Sequence, residues 1–216
     1  MRFKNREHAA HLLVERLSPL YKDKNPLVLG VPRGALPMAK IIADALEGDL
    51  DVVLVHKLGH PESPELAIGA IDESGKAFVS DWAMDIDPEY LAAEKQRQLE
   101  VLRRRRAAYT PLRARIDPCG RTAIVVDDGI ATGSTMTAAL RAVRARNPAR
   151  LIAAVGVASQ AAARAISQEC DETFCLKMPV DFYAVGQFFE DFEQVTDQRV
   201  VEILGERKFR APAKLL

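Results

Sequence analysis

Ile124-Val125-Val126-Asp127-Asp128-Gly129-Ile130-Ala131-Thr132-Gly133-Ser134-Thr135 is the most informative stretch of this 216-residue chain. An apolar run, Thr122 to Val126, leads straight into two aspartates. A run without alternation fits a strand buried on both faces, as in a parallel sheet. Unpaired buried carboxylates are costly, so Asp127 and Asp128 are expected at the strand's exposed carboxyl end, facing a cleft. On that placement, replacing either with Asn should change stability little. Ala131 to Thr135 then crosses into a helix expected to reach about Arg146. The turn offers backbone N–H groups, hydroxyls and the positive end of a helix dipole, a set that suits a phosphate dianion. Gly129 and Gly133 let the backbone bend and approach a ligand closely. Acids beside a phosphate cradle would repel a bare phosphate. A phosphorylated sugar resolves the conflict, because its ring hydroxyls donate to the carboxylates. Solvated acids and a capping Ser134 would explain each piece, but not their order. No Gly-x-x-x-x-Gly-Lys and no Gly-x-Gly-x-x-Gly occurs, which excludes the P-loop and the dinucleotide fingerprint.

Outward from this stretch, strands and helices alternate. Residues 5 to 17 predict an amphipathic helix, Leu27 to Val31 a buried strand, 35 to 47 a helix, and Asp51 to His56 a second strand. Gly59 to Pro64 reads as a loop. Ile68 to Ile71 and Ala77 to Ser80 read as a hairpin around Asp72-Glu73-Ser74-Gly75. Asp87-Pro88-Glu89 opens a long helix to Tyr109, with Asp as cap and Pro at the first helical position. After the central stretch come a strand at 151 to 158, a helix at 160 to 169 and a short strand at 173 to 176. An irregular segment follows at 182 to 194, then a last helix near 197 to 206. The order predicts an α/β, Rossmann-like fold: a mostly parallel sheet flanked by helices, with the strand at Leu27 beside the one at Thr122. Ligands bind such sheets at the carboxyl ends of the strands.

Composition narrows the function classes. Hydrophobic residues are 48% and charged residues 28%, an ordinary globular balance. Lys+Arg and Asp+Glu are both 30, which disfavours a generally basic nucleic-acid or membrane binder. Three cysteines, Cys119, Cys170 and Cys175, make no disulfide framework and no Cys-x-x-Cys zinc pair. With no signal peptide and no spanning apolar run, a reduced, cytoplasmic protein is expected.

The central stretch resembles the 5-phosphoribosyl 1-pyrophosphate (PRPP) motif of type I phosphoribosyltransferases. The resemblance implies that Asp127 and Asp128 hold the ribose hydroxyls. It gives the 5-phosphate to the turn, with Gly129, Ile130, Ala131, Thr132, Gly133, Ser134 and Thr135 lining the PRPP site. Leu29-Gly30-Val31-Pro32-Arg33-Gly34-Ala35 matches the family's pyrophosphate loop, which makes Arg33 and Gly34 PRPP-binding candidates. Lys57, after Asp51 to His56, matches the basic residue that reaches the pyrophosphate. The match in topology covers roughly residues 25 to 190. Lys57-Leu58-Gly59, Glu65 to Ala70 and Phe182 to Gln187 look closest to a group of bacterial phosphoribosyltransferase-like proteins. The implied activity is Mg²⁺-dependent transfer of the phosphoribosyl group to a nitrogen nucleophile such as a nucleobase, with release of pyrophosphate. Asp127, Asp128, Lys57 and Arg33 are the implied catalytic set. Tyr183 and Val185 are the acceptor-binding candidates, and Glu190 is the metal candidate. The implied partners are PRPP and a small acceptor, with no membrane and no nucleic acid, and a homodimer is allowed. One domain over 1–216 is expected, with a helical insertion at 87–110 and a hood segment at 177–216.

Ala131 stands where the hypoxanthine-guanine enzymes carry an aspartate acting on the purine. That argues against plain 6-oxopurine salvage and leaves the general base unassigned. A PRPP-sensing or RNA-binding regulator is the alternative. Too few residues precede the first strand for an attached winged helix, so its surface would be Arg103-Arg104-Arg105-Arg106, with Arg97, Arg113 and Arg115 near. Four consecutive helical residues point around most of the circumference, so a solvated face is the plainer reading. His56 and His60 lack metal-site company. Ser134 lacks a nucleophile-elbow context. Cys170 and Cys175 read as small hydrophobes.

Overall fold

The structure, a computed structural model, describes residues 2–63, 66–80, 85–111 and 115–206. Its first half runs α1 (Arg6–Tyr21), β1 (Leu27–Gly30), α2 (Leu36–Ala45), β2 (Asp49–Val52), β3 (Val55–Gly59), β4 (Ala67–Asp72), β5 (Ala77–Val79) and α3 (Pro88–Tyr109). The second half runs β6 (Thr122–Ile130), α4 (Ser134–Arg144), β7 (Arg150–Ala158), α5 (Gln160–Ser167), β8 (Glu172–Lys177), a 3-10 turn (Val185–Phe188) and α6 (Asp197–Gly205).

Five strands form one parallel sheet in the order β2-β1-β6-β7-β8. β1 is buried along its whole length and lies between β2 and β6, as its unbroken apolar sequence requires. One face of the sheet is covered by α1, α2 and α6, packed through Leu13, Leu17, Ile42 and Ile203 onto Ile124 and Ile152. The other face is covered by α4 and α5, packed through Met136, Leu140 and Ile166 onto Val125 and Ala153. The expected α/β fold and the β1–β6 neighbourhood are both observed.

A second, antiparallel sheet, β3-β4-β5, departs from the prediction. Asp51 to His56 is not one strand. The chain leaves the parallel sheet after Val52 and re-enters pairing at Val55, opposite Asp72 of β4. Val53 and Leu54 are buried at the junction, so one apolar run spans two sheets and periodicity cannot see the break. The expected hairpin is present as β4–β5, with β3 added on its edge. α1 continues past Pro19 to Tyr21. β6 continues to Ile130, so the two aspartates lie inside the strand and not beyond it. Pro64, Glu65, Arg113 and the hood segment after residue 206 lie outside the described residues.

The small sheet is fastened to the large one by buried charge. Arg106 grips both oxygens of Glu73 at 2.7 Å, and its Nη1 reaches Asp51 Oδ1 at 2.9 Å. Asp51 is completely buried, and its other oxygen accepts the Ile116 N–H at 2.9 Å. Arg115 adds a 3.1 Å contact to Glu73. At the far end of β3, Glu94 accepts the Gly59 N–H and Tyr90 donates to the Gly59 carbonyl. Helix α3 thereby pins the segment that carries Lys57. Of the four consecutive arginines, Arg106 is committed to this network, while Arg103, Arg104 and Arg105 are exposed.

Candidate functional site

The carboxyl end of β6 carries the two predicted acids and runs into the predicted turn. The pleat starts the Asp127 and Asp128 side chains on opposite faces of the strand. Asp127 Oδ1 accepts the Asp128 N–H at 2.9 Å. Burial, then the Asp128 charge, pushes the Asp127 carboxyl well above the usual carboxylate range, and a side-chain hydrogen bond with Asp128 adds to the rise. Asp128 is 8% exposed and does not stand open to solvent. Arg6, from the first turn of α1, donates from Nε to its Oδ2 at 2.7 Å. The expectation that either acid can be neutralised without affecting stability is therefore corrected for Asp128, whose partner would be left without its counter-charge.

The raised Asp127 carboxyl has a pH signature. The native state holds this proton more tightly than the unfolded chain, whose value is about 3.9. The associated stability is fully present below that value and is lost as pH rises through the raised native one. Asp127→Asn removes the loss. Urea melts from about pH 4 to about pH 8 should show the Asn variant gaining on the parent as pH rises.

Beyond the acids, Ile130 is buried in the core on the α4 side, so its backbone, and not its side chain, is what it offers. Ala131, Thr132, Ser134 and Thr135 are exposed, and Gly133 is buried. Gly133 caps α4 with φ +82°, a conformation that L side chains rarely adopt, so the turn into the helix needs glycine. The N–H groups of the first α4 turn point out of the helix beside the Thr132 and Ser134 hydroxyls, which lie 3.2 Å apart. Ser159 buttresses the turn. Its hydroxyl donates to the Ala131 carbonyl at 2.7 Å and accepts the Ala162 N–H at the start of α5. Thr132, Ser134, Thr137 and Arg141 face Gly69, Phe78 and Ser80 of the small sheet across a cleft of about 300 Å³.

The loop after β1 meets the same strand end. A Cβ on Gly34 would stand 2.3 Å from Asp128 Oδ2, so only glycine lets this backbone approach the acid. The Pro32–Arg33 peptide is cis. The Arg33 side chain turns to Asp197 at the start of α6, at 3.3 Å. Asp197 also accepts the Tyr109 hydroxyl, and burial followed by that bond pushes Tyr109 up to about 12. Lys57 is exposed on β3, opposite Ala70, and belongs to the second sheet.

Val185 packs on the strand end: a Cβ on Gly129 would lie 2.4 Å from its Cγ1. Tyr183 is 87% exposed, its N–H held by Gln187. Glu190 is exposed, and its N–H donates to the Phe3 carbonyl. His60 Nδ1 accepts the Glu62 N–H. Among the described residues no group of three or more His, Cys, Asp and Glu could hold a metal by itself, and no helix is long and apolar enough to cross a membrane.

The family model described as a phosphoribosyl transferase domain matches residues 4–192, most of the chain. The chain belongs to the phosphoribosyl transferase family. Proteins from two Mycobacterium tuberculosis strains, each provisionally named a phosphoribosyl transferase, are 39% identical over 205 residues. That alignment takes in 94% of this chain and 46% of the relative, so the chain spans about half the length of the curated relatives it matches. A crystal structure from Thermus thermophilus is 43% identical with a TM-score of 0.84, covering 94% of this chain and 98% of that one.

Within this phosphoribosyl transferase fold, three residues at the strand end or its supports escape a reading by sequence. Arg6 lies 122 positions from its carboxylate partner. Ser159 reads as an ordinary helix cap, which it is, but its second bond to Ala131 crosses two loops. Asp51 looks like a strand-end acid, and only its burial beside Arg106 marks it as structural.

Proposed function

We propose that the chain transfers the 5-phosphoribosyl group of PRPP to a nitrogen nucleophile, most simply a nucleobase or related heterocycle, with release of pyrophosphate. The observation that carries this reading is the junction of β6 and α4. There two carboxylates and a hydroxyl-lined helix N-terminus meet at the end of one strand, beside the Gly34 loop. A phosphate alone would gain from the turn and lose to the acids. A ribose phosphate gains from both.

In this reading the 5-phosphate lies on the N–H groups and hydroxyls of Thr132 to Thr135, and Asp127 and Asp128 accept the ribose hydroxyls. Two anchors on one sugar restrict its orientation, so binding energy serves the reaction at C1. The nitrogen nucleophile attacks C1 as the bond to pyrophosphate breaks, through positive charge on the ring that the acids offset. Arg33 and Lys57 stabilise the departing pyrophosphate. Arg33 is free to do so at little cost, because its pair with Asp197 is exposed and such pairs are worth about 0–1 kcal/mol. Tyr183 and Val185 border the acceptor. Ala131 offers no acid or base to it, so the acceptor's proton leaves by another group or by water.

Magnesium suits this donor set. Mg²⁺ is commonly held by one or two carboxylates together with substrate phosphates and water. Among the described residues no cation pairs with Asp127, and Asp128 is already matched by Arg6. Asp127, with Glu190 as the second carboxylate, would hold the ion against the ligand's pyrophosphate. When bound, it supplies positive charge to the departing oxygens.

Arg33→Ala and Lys57→Ala should weaken PRPP far more than ribose 5-phosphate, since only PRPP carries the pyrophosphate. Competition binding with both ligands checks this, and equal weakening of the two would remove the assignment. The function itself is tested by pyrophosphate release from PRPP across a panel of purines, pyrimidines and related heterocycles.

A further inference from the structure

We propose that Arg6 is a positioning residue of the phosphoribosyl site, fixing Asp128 so that one carboxylate oxygen is withheld and the other is presented to the ribose. This rests on the phosphoribosyl reading above and adds a residue from the opposite end of the chain.

Four groups from three segments surround the Arg6 guanidinium. Nε donates to Asp128 Oδ2 at 2.7 Å. Nη1 donates to the Glu193 carbonyl at 2.6 Å. The guanidinium carbon lies 3.8 Å from the centre of the Phe192 ring. Nη2 lies 3.3 Å from the point where a Gly34 Cβ would stand. Only 12% of the Arg6 side chain is exposed. The segment carrying Phe192 is itself tied to the start of the chain, through Phe3 N–H to the Phe188 carbonyl and Asp191 N–H to the Lys4 carbonyl. The arginine is thus held in one pose by a ring below, a carbonyl at one end and a carboxylate at the other.

The consequence is directional. Asp128 Oδ2 is enclosed by Arg6 and by the Gly34 turn, so in this proposal it is Oδ1 that meets a hydroxyl donor. An ionised carboxylate is an acceptor on both oxygens, and withholding one makes its recognition of a diol specific in direction. The guanidinium also balances one of two adjacent acids, so the pair does not repel the ligand's phosphate with its full charge. A lysine could supply the charge, but not the planar fork that reaches both Asp128 and the Glu193 carbonyl.

Calorimetry on the full chain with two probes, ribose 5-phosphate and inorganic phosphate, tests this. Ribose 5-phosphate needs the acids as well as the turn, whereas inorganic phosphate needs the turn alone. Arg6→Ala should weaken ribose 5-phosphate about tenfold and leave inorganic phosphate within about twofold. Arg6→Lys, which keeps the charge and should fold even if the alanine variant does not, should weaken ribose 5-phosphate by a smaller factor, again without moving phosphate. Combining Arg6→Ala with Asp128→Asn should cost no more than the larger single effect, because the arginine acts through that acid. Unchanged ribose 5-phosphate affinity in folded Arg6 variants would overturn the proposal, and so would parallel weakening of both probes, which marks a structural ion pair. If the parent binds neither probe, the phosphoribosyl reading fails, and the role of Arg6 fails with it.

Discussion

Asp127→Asn is expected to reduce Mg·PRPP affinity, or turnover with PRPP, by about ten- to a hundredfold. The lost hydrogen bond, charge-assisted once bound Mg·PRPP draws the carboxyl into its ionised form, is worth about 1.5–3 kcal/mol, at about 1.4 kcal/mol per factor of ten. The same variant should melt no lower than the parent at neutral pH. Its carboxyl is held well above the usual range by burial and by Asp128, so the native state gains from a neutral side chain there. Lost binding without lost stability is the signature of a group kept for its ligand. Asp128→Asn should differ, because it takes the counter-charge from Arg6 and lowers stability as well as binding. Paired calorimetry and thermal melts on the two variants separate these cases. Equal Mg·PRPP binding by parent and double Asn variant would reduce the acids to strand-end decoration.

Arg106→Ala is expected to be the most damaging change to the fold. It takes from Asp51, which is completely buried, and from Glu73 the guanidinium that both of them bind. Removing one member of a buried ion pair costs about 3–5 kcal/mol. For a chain of this size each kcal/mol moves the melting temperature by about 2–4 °C, so a fall of roughly 6–20 °C is expected. Arg103→Ala, Arg104→Ala and Arg105→Ala, at exposed positions of the same helix, should each stay within about 0.5 kcal/mol. A scan of the four variants by differential scanning calorimetry reads the contrast directly. Four similar shifts would contradict the assignment of Arg106 as the fastening between the two sheets.

The parallel sheet was legible because its central strands are unbroken apolar runs between clear helix signals. The turn from β6 into α4 was legible for the same reason: its residues are local, within one strand–turn–helix unit. What escaped reading is non-local. The apolar stretch through Val53 and Leu54 gave no sign that the chain changes sheets there, because burial at a junction looks like burial within a strand. Arg106 could not be told from its three neighbours, since helical phase alone spreads all four around the axis and only Asp51 and Glu73 select one. Arg6 meets Asp128 across 122 positions, a separation at which no spacing rule applies.

The most direct measurement is pyrophosphate release from PRPP in the presence of Mg²⁺, followed with and without each member of a nucleobase panel. Release that depends on one base or a small set of related heterocycles, and that falls about tenfold or more in Asp127→Asn, is the expected result. A folded parent that releases no pyrophosphate above the base-free background with any acceptor would contradict phosphoribosyl transfer as the work of this site.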